Sequence, residues 1–304
     1  MDPRRLLIFG SVVRSGSLAA AARELGWTQP AVSQHVRALE RELRLPLVVR
    51  GARGITPTEA GRTLLTHADA VAARLRAADA ELAALAEARS GTVRLAVFPT
   101  AGATIVPESL AVLARSHPGV EVRLTDAEPP QALDLLAAGD VDAAIVFRYD
   151  DEPPAATGPF TEHPLGEESM RLVLPAGHRL ATGHPRLRLA DAADERWVGG
   201  CVRCREHLVR AAARAGFTPD VRHSTDDYLI VQSLVAAGLA VALLPEAALQ
   251  VVTRPGVRVR EVSGGGRRHI TLTHHPDAGG LPALRALLAA LPRPDHATLP
   301  APPL

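Results

Sequence analysis

Between Gly61 and Gly91 the chain runs 29 residues without a glycine or a proline, although 24 Gly and 25 Pro are spread along the rest of it. Ala, Leu, Arg and Glu fill the run, so a single helix from Glu59 to about Arg89 is expected, roughly 45 Å long. Leu64, Ala68, Val71, Leu75, Ala78, Leu82 and Leu85 recur at alternating spacings of four and three, which is a heptad seam. Such a seam fits pairing with a second copy of the chain, or the buried stripe of a helix packed within one copy. Ser90-Gly91 reads as a hinge after it. The helix divides the 304 residues into a short N-terminal block and a long C-terminal one.

The two blocks differ in charge. The overall balance is +1, yet residues 1–62 hold ten Arg and five acids while the remainder carries a net of −4. A basic end joined to an acidic remainder suits a protein that meets a polyanion at one end. All 34 positive side chains are Arg, which is put down to coding bias. Aromatics make up only 3%, so the core must be built from Ala, Leu and Val. No apolar stretch is long enough to predict a membrane span. Met1-Asp2-Pro3-Arg4-Arg5 leads into an amphipathic segment rather than a secretory run, and the cytoplasm is the expected location.

Within the first block, Leu6, Ile8, Phe9, Val12 and Val13 form a helical apolar face that ends at Gly16. Ser17 suits the N-cap of a second helix, Leu18 to Leu25, closed by Gly26. Thr28 is expected to cap a third helix from Gln29 to about Glu42, with Pro30 tolerated in its first turn. Ala31, Val32, Val36 and Leu39 can face inward, leaving Gln29, Ser33, Gln34 and Arg37 outward. Gln can bond adenine, Arg can read guanine and Ser can hold phosphate. The same spacing also fits a small helical bundle with a solvated face. Leu47 to Arg50 and Ile55-Thr56 then read as a hairpin around Gly51-Ala52-Arg53-Gly54, a wing that offers Arg50 and Arg53 to the DNA backbone or minor groove. Thr56-Pro57-Thr58-Glu59 is expected to form a capping box that starts the long helix.

Phe9, Gly16-Ser17, Ala21-Ala22, Leu25, Gln29-Pro30-Ala31-Val32-Ser33, Leu39-Glu40, Leu47, Arg50, Arg53 and the run Thr56 to Gly61 follow one another without a gap. This string resembles the winged helix-turn-helix of LysR-type bacterial transcriptional regulators. Val48-Val49 departs from it, since the family usually carries Phe there. The resemblance implies DNA contacts by Thr28, Gln29, Ser33, Gln34, Arg37 and Arg53, to which Ser17, Pro30 and Arg50 are added. It also implies that the long helix pairs subunits, so that a homodimer or homotetramer meets double-stranded DNA at an interrupted dyad.

From Thr92 the pattern becomes α/β. Strands are expected at 92–98, 120–124 and 141–147, with helices to about Arg115 and from Pro130 to Ala138. A second unit starts near Met170, with a strand at 197–200, helices at 205–215 and 226–237, and the apolar strand 239–244. A late strand at 268–273 and a helix at 282–291 return to the first unit, and the Pro-rich end is expected to fray. The alternation predicts parallel sheets with right-handed crossovers. The run Val235 to Pro245 also resembles the family, whose effector domain has two lobes like periplasmic binding proteins. The expected architecture is α+β multidomain: a winged helix-turn-helix (1–58), a linker helix (59–89) and an effector domain (90–304). Lobe I takes about 92–160 and 267–292, and lobe II about 161–266.

Ligands bind outside the carboxyl ends of parallel strands. That rule selects Pro99, Thr100 and Ala101, Phe147 and Arg148, and, from the second lobe, Gly200, Cys201, Arg203, Thr225 and Asp226. Thr100, Arg148 and Arg203 together would favour a carboxylate, so an anionic small-molecule effector is expected and no cofactor. Cys201-Val202-Arg203-Cys204 opens a helix, with His207 one turn on. It fits a structural or pocket-lining pair, a redox pair beside Arg203 and Arg205, or part of a metal site lacking a fourth ligand. No metal is expected. Two rival functions fit the sequence less well. An enzyme would need a phosphate loop, a nucleophile elbow or a His/carboxylate cluster, none of which is present, and the acid pairs Asp150-Asp151 and Glu167-Glu168 fall in loop-like stretches that suit solvated patches. A plain solute-binding protein leaves the first sixty residues unexplained.

Overall fold

The computed structural model describes residues 1–51, 54–86, 91–152, 160–182 and 186–292. Helix α1 (Pro3–Ser15) begins where the Asp2 carboxylate accepts from Arg4 N and ends at Gly16 in the left-handed region. Helix α2 (Leu18–Glu24) is capped by the Ser17 hydroxyl, which accepts from Ala20 N at 3.0 Å. Thr28 holds the extended N-cap position of α3 (Gln29–Leu43), but its hydroxyl makes no capping bond, contrary to expectation. Ile8, Val12, Leu18, Val32 and Val36 close a core among the three helices. Strands β1 (Val48–Gly51) and β2 (Gly54–Pro57) pair antiparallel as the wing. Arg53 lies outside the described residues. Glu40 fixes the start of the wing by accepting from Leu47 N and Val48 N. Val48 packs inward while Val49 is exposed, so the missing Phe costs packing only at the first of the two.

Helix α4 (Glu59–Ala86) is capped by Thr58, whose hydroxyl accepts from Gly61 N and donates to the Pro46 carbonyl. The box expected on Thr56 is therefore displaced, because Thr56 and Pro57 are spent in β2. A methyl group on Gly61 would collide with the Leu47 carbonyl oxygen, which is held in place by Thr58 N at 2.9 Å. Gly61→Ala is expected to cost about 2 kcal/mol of stability, in the range for overpacking a fixed backbone. A urea-unfolding midpoint equal to that of the wild type would show that the joint gives way freely.

The heptad seam is not one continuous surface. Leu64 and Ala68 are taken up by this chain's own N-terminal core, whereas Leu75 and Leu82 are 50% and 66% exposed. The side chain of Leu85 lies outside the described residues. On another face of α4, Arg76 donates to the Ala138 carbonyl and Arg74 pairs with Asp277, which ties the helix to the C-terminal half. Ser90 of the expected hinge lies outside the described residues, and Gly91 is already strand, paired with Val120.

The C-terminal half starts with β3 (Gly91–Val97), short α5 (Pro99–Ala103), α6 (Ile105–Ser116), β4 (Val120–Asp126), α7 (Pro129–Ala138) and β5 (Ala143–Tyr149). Strand β6 (Thr161–Pro175) leads through a 3-10 turn (Leu189–Ala192) to β7 (Arg196–Gly199), α8 (Val202–Arg214), β8 (Asp220–Ser224) and α9 (Tyr228–Ala236). The chain returns through β9 (Ala242–Pro245), α10 (Glu246–Val251), β10 (Val257–Glu261), β11 (Arg267–His274) and α11 (Pro282–Ala290). Strand β3 runs parallel to β4 and β5, as expected, but β11 is antiparallel to both β5 and β6. The sheets are thus mixed rather than parallel. Residues 161–169 of β6 pair with β11, and only from Met170 does β6 pair with β9 and β10. Strand β6 therefore changes partners near Met170, within the stretch expected to open the second lobe. No single helix among the described residues is long and apolar enough to cross a membrane.

Candidate functional site

Two surfaces concentrate chemistry. The first is the outer face of α3. Val32, Val36 and Leu39 are buried, and the 3.6-residue period then turns Gln29, Gln34 and Arg37 to solvent. Arg50 of the wing donates to the half-buried Ser33 hydroxyl at 3.2 Å, so wing and helix are held in one frame. Gln29, Pro30, Ser33, Gln34, Arg37 and Arg50 border one concave surface that continues over Arg41 and Arg44. Those last two were missed from sequence. Arg44 reaches the surface only because it takes a left-handed φ of 55° at the end of α3. The Ser17 hydroxyl is committed to its cap, and Ser17 does not border this surface.

The second surface lies between the lobes. Pro99, Thr100, Asp126, Asp226, Tyr228 and Gln232 border a cavity of about 430 Å³. Ala101 does not reach it and packs in the core. Thr225 caps the local turn by accepting from Asp227 N. Phe147 faces this interior, but Arg148 does not. Successive strand residues point to opposite faces, and Arg148 follows the face of Ala144 and Val146, which pack against α7 residues. Arg203 comes close, yet it donates to Glu152 and lies 5.6 Å from the Phe147 ring centre. Arg203 is therefore matched already, and Arg148 points away from the cavity.

The cation that occupies the interior is Arg268, which the sequence did not reveal. It is 0% exposed, lies 4.4 Å from the Phe147 ring centre and 5.0 Å from that of Phe98, and donates to Glu168 and to Thr100 Oγ1. Glu168 in turn accepts from Ala247 N at 2.8 Å. The acid pairs expected as solvated patches are split by their backbones. Glu167 is exposed beside Arg267 and Glu168 is buried beside Arg268. Asp151 meets His207, Arg210 and Arg214.

Cys201 is the N-cap residue of α8 and its thiol donates to Cys204 Sγ at 3.0 Å. That bond, the nearby charge of Arg268 and the Tyr149 hydroxyl bring Cys204 down to about 7, against the opposing effect of burial. Cys201 is pushed up by the same bond and by its own burial. Burial also raises Glu128, across from Cys201. His207 does not complete a metal set with the cysteines, because its ring nitrogens face Asp151 and the Gly265 carbonyl.

A winged helix-turn-helix joined by a long helix to a two-lobed α/β domain defines a class of effector-responsive DNA-binding proteins. Residues 3–62 match the family of bacterial regulatory helix-turn-helix proteins, lysR family, and residues 86–293 match the LysR substrate binding domain. The chain belongs to the LysR family of transcriptional regulators. It is 34% identical to a probable hydrogen peroxide-inducible genes activator of Mycobacterium avium, over 81% of this chain and 78% of that one. It is 35% identical to the small neutral protease regulatory protein of Streptomyces coelicolor, over 79% and 76%. In fold it is similar to a full-length OxyR variant from Pseudomonas aeruginosa, with a TM-score of 0.67, 21% identity and coverage of 95% and 94%. It is also similar to full-length CbnR in complex with its target DNA, with a TM-score of 0.60, 22% identity and coverage of 96% and 99%.

Proposed function

We propose that this regulator binds an interrupted DNA dyad as a homodimer or homotetramer in the cytoplasm, under control of a small molecule held between its lobes. The observation that carries the proposal is the exposed, polar first half of α3, framed by Arg50 through Ser33. Gln29, Gln34 and Arg37 would reach base edges, with Thr28, Arg41, Arg44 and Arg50 on phosphate. The exposed Leu75 and Leu82 of α4, with exposed Ala78 between them on the same seam, support pairing through a second copy. The effector would lie in the cavity bordered by Thr100, Asp226 and Tyr228. An anion was expected there, but Arg203 and Arg268 are already matched by Glu152 and Glu168, and Asp126, Asp226 and Asp227 border the opening. A small polar molecule with hydrogen-bond donors suits these groups better than a carboxylate does. It acts only by favouring one arrangement of the DNA-binding pairs over another.

A footprint on the intergenic DNA beside the protein's own gene, at fixed salt, tests the proposal. A protected interrupted dyad is expected, and Gln34→Ala should weaken it by about 1–3 kcal/mol while leaving random DNA nearly unaffected. Equal loss on specific and random DNA would remove Gln34 from base recognition, and no protection on any genomic fragment would sink the proposal. Matched amine and carboxylate series added to the same footprint test the effector's charge. Carboxylates alone altering the pattern would reverse that part.

A further inference from the structure

Three histidines lie where lobe I meets α4, outside both the DNA-facing surface and the effector cavity. His274 ends β11 and is 2% exposed. Its Nε2 lies 2.9 Å from Nε2 of His163 on β6, and the two rings stack with centres 5.0 Å apart. Its Nδ1 faces the His275 carbonyl at 2.7 Å. A carbonyl can only accept, so that Nδ1 carries the hydrogen. Nε2 of neutral His274 is then an acceptor, and His163 Nε2–H is its donor. One more proton on His163 Nδ1 leaves this bond in place. A proton on His274 Nε2 destroys it and sets two N–H groups against each other.

The turn Pro276–Gly280 follows directly and rests on the same residues. A side-chain carbon on Gly279 would meet His274 Cε1 at 3.1 Å, so the turn lies against that ring. His275 Nδ1 accepts from Asp277 N, which leaves the Asp277 carboxylate to pair with Arg74 of α4. Once protonated, that Nδ1 can no longer accept, and it competes with Arg74 for Asp277 Oδ2, 3.2 Å away. Burial holds both His274 and His275 below the ordinary histidine value. The charge of His163 adds to this at His274, against the bond to the His275 carbonyl, and Arg74 adds to it at His275. Opposite His274, β5 offers Ala143, α11 adds only the exposed Arg285, and Glu162 of β6 turns to the other face from His163. Among the described residues, no carboxylate stands against the His163–His274 pair.

We propose that His163, His274 and His275 form a proton-responsive latch between lobe I and α4, giving the regulator an input besides its effector. In neutral solution the Nε2–H···Nε2 bond seats the turn, and Asp277 holds Arg74. Protons bound at His274 Nε2 and His275 Nδ1 unseat the turn and weaken the tie from Asp277 to α4. Arg76 still donates to the Ala138 carbonyl, so the helix pivots against lobe I rather than detaching. A histidine that folding keeps neutral stabilises fully above its unfolded value, about 6.5, and loses that contribution as pH falls through its folded value. The latch is therefore closed above about pH 6.5 and opens progressively below it.

Amide hydrogen exchange on the full-length protein, read by mass spectrometry from about pH 7.5 to about pH 5, tests the latch. The segments to follow are 276–281, where Ala278 N and Leu281 N are bonded within the turn, and 70–78 of α4. After division by the intrinsic exchange rate at each pH, protection of both should fall by up to about tenfold per pH unit below about pH 6.5. His274→Leu removes the bond to His163 and should leave the turn poorly protected at every pH. His163→Gln keeps a donor toward His274 Nε2 but cannot take up charge. Its turn should stay protected near neutral pH and open at a higher pH than in wild type, a midpoint that a merely structural histidine pair would not move. Protection independent of pH in wild type would overturn the proposal. So would the wild-type pH dependence persisting in His274→Leu, or an unmoved or lowered midpoint in His163→Gln. If His274→Leu does not fold, the His163→Gln midpoint decides alone. No DNA enters the measurement, so failure here leaves the DNA-binding reading standing.

Discussion

Arg268→Leu is expected to lower the free energy of unfolding by about 3–5 kcal/mol, the largest loss from any single side chain between the lobes. Arg268 and Glu168 have side chains 0% and 1% exposed, and no water reaches the pair to screen a lone charge. Without the guanidinium, Glu168 keeps only the Ala247 amide, and Thr100 Oγ1 loses its donor. The carboxylate must then ionise in a low-dielectric site or take up a proton, and either outcome is costly. The rings of Phe98 and Phe147 also lose the cation packed on them. Glu168→Leu alone should cost a similar amount by stranding the arginine. The double variant should cost clearly less than the two single losses combined, because the pair's burial penalty leaves with it. Urea unfolding of the four proteins closes the cycle. A loss under about 1 kcal/mol for Arg268→Leu would mean that the pair is not buried in solution.

Arg268 also illustrates where sequence reading stops. It lies in the string Arg267 to His274, in which two adjacent arginines look alike, and 100 residues separate them from Glu167 and Glu168. Only the pairing of β11 with β6 decides that Arg267 and Glu167 face water while Arg268 and Glu168 face the core. Strand β6 itself was half hidden, because Pro164 and Gly166 and a register shift opposite Ile270 interrupt its alternation. Strands β8 and β10 were missed for a similar reason, being short and charged, with β8 largely exposed. The first sixty residues were far more legible. Their contacts are local: Ser17 caps within three residues, Gly16 closes α1 with its left-handed φ, and the period of α3 assigns its faces directly. Arg148 shows the intermediate case. Its strand was located, but which face it took depended on one residue of phase.

Asp151→Asn is expected to cost about 2–3 kcal/mol near neutral pH, and the loss should shrink as the solution is acidified. Asp151 follows the end of β5 and accepts from Arg210 Nε at 2.9 Å and Arg214 Nη1 at 2.6 Å, with His207 Nδ1 3.2 Å away. All three partners lie on α8, so this one carboxylate joins a lobe I strand to a lobe II helix. The Asp151 side chain is 10% exposed, but Arg210 and Arg214 are 35% and 50% exposed, which places the expected loss below that of a fully buried pair. Burial alone would raise the Asp151 pKa. The bonds from Arg210 and Arg214, with His207, outweigh it and hold the carboxyl well below the usual carboxylate range. A carboxylate with a depressed folded pKa stabilises fully above its unfolded value, about 3.9, and loses that contribution as pH falls through the folded value. The gap between wild type and Asp151→Asn should therefore be full from about pH 7 down to about pH 5 and narrow steadily below about pH 4. Denaturant unfolding across that range reads it directly. An unchanging gap would assign the loss to packing of the turn after β5, and no gap near neutral pH would mean that the two lobes are held together without this carboxylate.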